Sequence, residues 1–295
     1  MPFASTLRFI ANSPLNRHRK FAALIRYAKW QIGSRLVPGK VLVNWVNDSK
    51  IIVSPGERGL TGNIFSGLQE FHDMSFVLHA LNDTDLFLDV GANVGSYTIL
   101  ACGVAGARGI CYEPVPETYQ RLMKNLAVNS LLDRTQAFNQ GVGDSRSTLR
   151  FTEDEGCMNH VLTTAETAGK VIEVTVIALD EELREVPTMM KIDVEGYETM
   201  VLKGAERVLT DKTLNFILIE LNGSGTRYGF DEEAIISTLK NHGFCPYNYD
   251  PWHRKLTRLQ EKSNSSGNTL FIRDIEVANQ RVQNAPKFHV LDKSL

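Results

Sequence analysis

The chain has no CxxC pair, no HxxxH or HExxH, no complete G-x-G-x-x-G and no apolar run long enough to span a bilayer. Each absence removes a class of function. Its four cysteines, Cys102, Cys111, Cys157 and Cys245, are too widely spaced for a zinc ribbon or a thioredoxin-like redox pair. His72, His79, His242, His253 and His289 show no ligand-like spacing, so zinc chemistry is not expected. Excess charge of either sign is also missing: 32 Lys and Arg stand against 34 Asp and Glu, a net charge of -2 that gives no support to a nucleic-acid partner. The N-terminus lacks the positive, apolar, small-residue order of a secretory signal. Cys102 and Cys111 sit in apolar surroundings and read as buried free thiols, which suits a reducing compartment. A cytoplasmic location is therefore expected.

Acidic residues are absent from the first 47 positions, which carry eight basic ones: Arg8, Arg17, Arg19, Lys20, Arg26, Lys29, Arg35 and Lys40. Within that stretch Phe21, Leu24, Ile25, Ala28, Ile32 and Leu36 recur at helical spacing. The plainer interpretation is a lid or packing helix whose polar face is wet. The alternative is peripheral contact of residues 1–36 with an anionic membrane surface.

What is present, over 295 residues, is ordinary globular composition: 43% hydrophobic and 22% charged. A hairpin is expected from Lys40–Val46 and Lys50–Ser54, with Gly56, Gly59 and Gly62 after it, then a helix over Leu68–Leu81. From Asp85 onward strands and helices alternate. Strands are expected at Asp85–Val90, Arg108–Glu113, Thr135–Val142, Pro187–Asp193 and Leu214–Leu221, with helices at Ser96–Val104, Pro116–Leu131, Tyr197–Leu209 and Phe230–Asn241. Largely apolar strands separated by helices imply a mostly parallel sheet covered on both faces.

Two segments carry the chemistry. The first is Phe87-Leu88-Asp89-Val90-Gly91-Ala92-Asn93-Val94-Gly95, a buried strand passing through a glycine turn into a helix. Gly91 and Gly95 allow a tight turn and close approach of backbone to a ligand at the carboxyl end of the strand. Asn93 replaces the middle glycine of the dinucleotide fingerprint. Asp89 would repel a pyrophosphate and suits a cationic amino group, as in S-adenosylmethionine. Glu113, 22 residues after Gly91 and ending the next strand, can accept from ribose hydroxyls of an adenosine-like ligand. Asp144, after the third strand, is placed to meet an adenine amine.

The second segment is Lys191-Ile192-Asp193-Val194-Glu195-Gly196-Tyr197-Glu198, where three carboxylates leave an apolar strand beside a glycine. Like charges crowded together call for a cation, a mobile proton or backbone amides. Asp193 is the candidate for orienting or deprotonating an acceptor hydroxyl, and it also borders the cofactor. Glu220 near the end of the fifth strand flanks the acceptor, and His160 in the intervening region is a candidate base. Glu70, on a glycine-bearing approach to a helix, is a candidate for a wall of the cofactor site. A magnesium ion between Asp193 and Glu220 is compatible with the pattern but not expected, so no residue is assigned to a metal.

The segments FLDVGANVGSYT (Phe87 to Thr98), YEPVPETYQRLMKNLAVN (Tyr112 to Asn129) and MKIDVEGYETMVLKGAERVL (Met190 to Leu209), with IELNG (Ile219 to Gly223) more loosely, resemble the FkbM family of S-adenosylmethionine-dependent methyltransferases. The resemblance implies an α/β class I methyltransferase (Rossmann-like) fold, with seven strands in a mostly parallel sheet, the last strand antiparallel, and helices on both faces. It implies transfer of a methyl group to a hydroxyl oxygen of a small molecule or glycan. The family's glycine loop falls on Asp89, Gly91, Asn93 and Gly95, its ribose-binding acid on Glu113, and its site-lining segment on Asp193 and Glu195. The expected division is residues 1–59 as a basic helix and hairpin extension, 60–275 as the methyltransferase domain and 276–295 as a tail. An NAD-dependent oxidoreductase and a catalytically silent binding protein on the same fold are the competing readings. The oligomeric state is left open.

Overall fold

The computed structural model describes residues 3–36, 39–54, 60–153, 159–163, 169–263 and 267–295. Cys157, Gly56 and Gly59 lie outside the described residues.

Two helices, α1 (Phe3–Asn12) and α2 (Lys20–Leu36), meet across a short 3-10 turn that begins at Pro14. The packed side of α2 is not its apolar stripe. Ala23, Tyr27 and Trp30 join Ile10, Ile64 and Phe65 in a small core, while Phe21, Ile25, Ala28, Ile32 and Leu36 face solvent. The helix packs on the body of the protein, on the side opposite that stripe. The strands β1 (Val41–Asn44) and β2 (Lys50–Val53) then pair antiparallel, Val41 opposite Val53. Their turn places Asn47 (φ 45°) and Asp48 (φ 65°) in the left-handed region, which these two residue types tolerate.

Helices α3 (Leu60–Ser66) and α4 (Phe71–Ala80) lead to β3 (Leu86–Val90), all five of whose residues are buried. Helix α5 (Ser96–Thr98) continues as a π-helical stretch to Val104. Strand β4 (Arg108–Tyr112) follows, then α6 (Pro116–Val128), with Pro at the first position where its missing N–H is not needed. The expected strand Thr135–Val142 is two. β5 (Thr135–Phe138) ends the main sheet, and β6 (Gly141–Gly143) joins β7 (Ser147–Thr152) and β8 (Val171–Ala178) in a three-stranded sheet ordered β6-β8-β7.

After α7 (Leu179–Glu182) come β9 (Met189–Ile192), α8 (Glu198–Lys203), α9 (Glu206–Thr210) and β10 (Phe216–Glu220). Helix α10 (Glu232–Asn241) begins at Asp231, whose carboxylate accepts the Glu233 N–H. Strands β11 (Cys245–Asp250), β12 (Lys255–Arg258) and β13 (Asn268–Ile272) precede α11 (Ile275–Asn284), capped in the same way by Asp274. A two-stranded ribbon, β14 (His289–Val290) and β15 (Lys293–Ser294), closes the chain.

The main sheet has eight strands in the order β12-β11-β13-β10-β9-β3-β4-β5. The expected seven-stranded, mostly parallel sheet is thereby corrected to a mixed, partly antiparallel one. Strands β5, β4, β3, β9 and β10 run parallel, whereas β10 with β13, β13 with β11, and β11 with β12 are antiparallel. The extra strand is β12, which folds back on β11 through the turn after Asp250 and pairs with it along Tyr247–Asp250. Antiparallel neighbours need only a short turn, so this half of the sheet requires no crossover helix at that step.

Alternate residues of the central strands go to opposite faces. Phe87, Met189, Phe216, Leu218, Leu270 and Ile272 join one core with residues of α4, α6 and α11. Leu88, Val90, Met190, Ile192, Ile217, Ile219 and Phe271 join another with residues of α8, α9 and α10. Each fully buried large side chain contributes about 1.5–3 kcal/mol. The end of the chain belongs to the first core: Val282, Phe288, Val290 and Leu295 are buried in it. Arg281 pins α11 to the head of β3 by donating to both carboxylate oxygens of Asp85 at 2.6 and 3.1 Å.

Candidate active site

Strand register builds a polar layer on one face of the sheet, at its carboxyl edge. Asp89 on β3 sits beside Lys191 on β9, and Lys191 beside Leu218 on β10. Two residues further along each strand come Asp193 and Glu220, and Glu220 pairs with Asn268 of β13. Glu70 and Asp73, at the start of α4, close over this layer: Asn268 Nδ2 donates to Glu70 Oε1 at 3.1 Å and to Asp73 Oδ2 at 3.2 Å. Tyr97 Oη donates to Glu70 Oε2 at 2.7 Å. The Lys191 ammonium is the cation of this layer. It donates to Asp193 Oδ2 at 2.7 Å and lies 4.8 Å from the centre of the Tyr97 ring. Burial pulls Lys191 down, but the carboxylates of Asp193, Asp89 and Glu70 outweigh it and hold the ammonium above its ordinary value. Burial also pushes the Tyr97 phenol well up.

The turn after β3 is shaped by its own polar atoms. The amides of Gly91 and Ala92 donate to the Tyr112 carbonyl at 3.0 and 2.9 Å. Gly91 has φ 80°, and a Cβ there would run into the Asp193 carbonyl oxygen, so this position requires glycine. Asn93 is left-handed at φ 51° and donates its backbone N–H to Glu113 Oε2 at 2.9 Å. Glu113 Oε1 accepts from the Val115 N–H at 2.9 Å. Burial pushes the Glu113 carboxyl up to about 7, partly offset by those two amide bonds. Asp89 accepts from Thr98 Oγ1 at 2.6 Å through Oδ2, while its Oδ1 is buried without a hydrogen-bond partner. Burial raises the Asp89 carboxyl as well, against the pull of Lys191.

The turn after β9 crowds carboxyls. Glu198 Oε1 accepts from the Val194 and Gly196 amides at 3.2 and 3.1 Å, which ties it to the turn and the start of α8. Burial moves it up to about 7. Glu195, left-handed at φ 53°, is moved up to about 7 by burial and by the charges of Asp193 and Glu198. Glu220 goes furthest, to about 9, through burial first and then the nearby charges of Asp193 and Glu195, and its Oε2 is buried without a hydrogen-bond partner. Asp193, Glu195 and Glu220 each present a carboxylate oxygen within 4.8 Å of one another, a spacing a divalent cation could bridge.

A cleft partly open to solvent lies where the parallel strands end. Gly91, Asn93, Glu113 and Asp193 line it, with Glu195. Gly95 does not. Its φ is 90°, and a Cβ there would meet Leu122 Cδ1 at 2.6 Å, so it serves the packing of the turn on α6. Asp89, Glu70 and Glu220 stand behind the lining, in the polar layer. Asp144 is exposed and outside the lining, beside Gln140, Gly141 and Val142, which are in it. His160 is buried and its backbone bridges Thr152, but the neighbours that face the cleft are Asn159 and Val161. Sequence reasoning passed over Lys191, although a lysine inside the apolar run Met189–Ile192 was a visible signal. It also missed Tyr197, Phe151 and Val161, whose contribution depends on the small sheet folding over the cleft.

The model of the methyltransferase FkbM domain matches residues 89–245, more than half of the chain. The hexuronic acid methyltransferase AglP of Haloferax volcanii is 28% identical over 171 residues, covering 55% of this chain and 64% of that protein. The methyltransferase sdnD of Sordaria araneosa is 24% identical over 209 residues, covering 59% of this chain and 79% of that protein. Among solved structures, the methyltransferase FkbM of Methylobacillus flagellatus KT aligns with a TM-score of 0.46 at 17% identity, over 72% of this chain and 52% of that one. The chain thus spans just under two thirds of the first relative and about half of the solved structure.

Proposed function

This chain belongs to the methyltransferase FkbM domain family, and from that premise we propose that it transfers a methyl group from S-adenosylmethionine to a hydroxyl oxygen of a small molecule or glycan. The observation that carries the choice of donor is the charge of the cleft. Its lining holds Glu113, Asp193 and Glu195 and, among the described residues, no lysine, arginine or histidine. Such a wall disfavours the diphosphate of a nicotinamide dinucleotide and suits a donor bearing an ammonium and a sulfonium.

S-adenosylmethionine, when bound, supplies a methyl carbon made electrophilic by the sulfonium. The chain's residues bind and orient around it. Glu113 accepts from the ribose hydroxyls, the Gly91–Asn93 backbone takes the donor's amino-acid end, and Gln140–Val142 with Phe151 and Val161 take the base. Asp193, held as an acceptor by Lys191, orients the acceptor hydroxyl and receives its proton as the oxygen–methyl bond forms and the carbon–sulfur bond breaks. Placing that oxygen in line with the sulfonium does most of the work. Glu220, whose carboxyl burial and the neighbouring acids raise, stands behind Asp193 and limits the negative charge crowded beside it. In this reading residues 60–275 form the catalytic domain. The free thiols of Cys102, Cys111 and Cys245 fit a cytoplasmic setting.

Calorimetric titration with S-adenosylmethionine and, in parallel, NAD tests the reading. Saturable binding of the former alone is expected. Binding of NAD alone would make this an oxidoreductase, and binding of neither would favour a catalytically silent scaffold.

A further inference from the structure

Helix α2 carries apolar residues on two opposite sides. At about 100° per residue, Phe21, Ile25, Ala28, Ile32 and Leu36 fall within an arc of about 80°, and Ala23, Tyr27 and Trp30 cluster about 180° away. Ala23, fully buried, marks the side that packs on the body of the protein, with Tyr27 and Trp30 beside it. The opposite stripe has no cover: Phe21 is 78% exposed, Leu36 74%, Ile32 61% and Ile25 39%. Scattered exposed apolar residues are ordinary, but a continuous stripe along a 17-residue helix is not.

The charges around the stripe identify its occupant. Lys29 and Arg35 are exposed along its two edges, with Arg17 just before the helix. Arg26 points inward instead, donating to Asn16 Oδ1 at 2.6 Å and to the Phe65 carbonyl at 3.2 Å. Arg19 pairs with Asp292 at 2.6 Å. No acidic residue occurs before Asp48. A second copy of the chain laid against this face would bring cations onto cations, whereas an anionic lipid surface is the complement in both charge and apolarity. Among the described residues no helix is long and apolar enough to cross a membrane, so contact would be in the plane of the interface.

We propose that the outward face of α2 docks on an anionic lipid bilayer, with Phe21, Ile25, Ile32 and Leu36 inserted among the acyl chains and Lys29 and Arg35 at the headgroups. This contact is independent of the reaction assigned to the cleft. Its test is sedimentation of the full chain with vesicles of phosphatidylcholine alone and of equal parts phosphatidylcholine and phosphatidylserine. Partition onto the anionic vesicles is expected to be at least about tenfold the stronger and to fall with added salt. The double substitution Ile25→Glu/Ile32→Glu is expected to lower it about tenfold or more, and Lys29→Gln/Arg35→Gln several-fold with loss of the salt dependence. All four side chains face solvent, so an unchanged melting midpoint is expected to accompany both variants. Equal partition onto the two vesicle types overturns the proposal, as does undiminished binding by the Ile25→Glu/Ile32→Glu chain. A dimer in analytical ultracentrifugation that this same double substitution breaks, with no vesicle binding by the parent chain, overturns it in favour of a second copy.

Discussion

The two turns that follow β3 and β9 lie side by side and are built from similar parts, yet they spend their polar atoms differently. Each leaves a buried strand at an aspartate, contains left-handed glycine, and holds one non-glycine residue in the left-handed region, Asn93 in the first and Glu195 in the second. In the β3 turn the polar groups serve mainly to fix the shape: Asp89 takes Thr98, and Glu113 clamps the amides of Asn93 and Val115. In the β9 turn Glu198 does the shaping, and Asp193 and Glu195 are left facing the cleft. The first turn is thus fixed by its own hydrogen bonds, whereas the second turns carboxyls toward the cleft. Lys191 links them, adjacent to Asp89 by strand pairing and bonded to Asp193.

Removing that link should have the largest effect. Lys191→Met leaves Asp89 and Asp193 without their cation in a buried layer and is expected to cost about 3–5 kcal/mol in denaturant unfolding. Lys191→Arg, which keeps the charge, should recover part of this. Asp193→Asn separates the turns by role. Turnover should fall about 100-fold while the dissociation constant for S-adenosylmethionine changes little, and a parallel loss of affinity would count Asp193 among the donor-binding residues instead. Gly91→Ala strikes the contact between the turns, where its Cβ would meet the Asp193 carbonyl. A loss of about 1–3 kcal/mol is expected from left-handed strain and the displaced backbone, read from the melting midpoint together with weaker donor binding.

Acid–base behaviour sharpens the contrast at smaller scale. Burial raises Glu113 and Glu198 to about 7, so the folded chain keeps protons that the unfolded chain releases near 4.5. Stability from these groups is complete below about pH 4.5 and is lost as pH rises through about 7. Glu113→Gln should flatten its share of that decline, on the order of 1–3 kcal/mol, in unfolding curves taken across the range. A chelator should change turnover least of all, by less than about twofold. A marked loss would assign a divalent ion to Asp193, Glu195 and Glu220.

Much of the parallel half was legible in the sequence because its signals are local. Apolar runs bounded by turn residues announced β3, β4, β9 and β10, and Gly91, Asn93 and Glu113 were marked by their offsets from strand ends. The antiparallel half was harder. Lys255–Arg258 is short and largely polar, as edge strands are, and nothing in those residues says that they pair with β11. The helix expected over Tyr197–Leu209 breaks after Lys203, where a Cβ on Gly204 would strike the Gly143 carbonyl, a contact with a distant strand. His160 carried the right chemistry at a position whose neighbours, rather than itself, face the cleft. On α2 the periodicity identified a helix but could not say which of two opposite faces would be buried.

Taken alone, then, the sequence determined most strands and helices of the parallel half, where the chain turns on glycine, and which acids stand at strand ends, because periodicity, φ preferences and capping act over a few residues. Tertiary structure decided that Asp89, Lys191, Asp193, Glu220 and Asn268 share one face and one edge, that the small sheet roofs the cleft, and that eight strands join in a mixed sheet. Those outcomes depend on register between strands far apart in the chain, set by burial of both faces at once and by charges that are tolerable only beside one another.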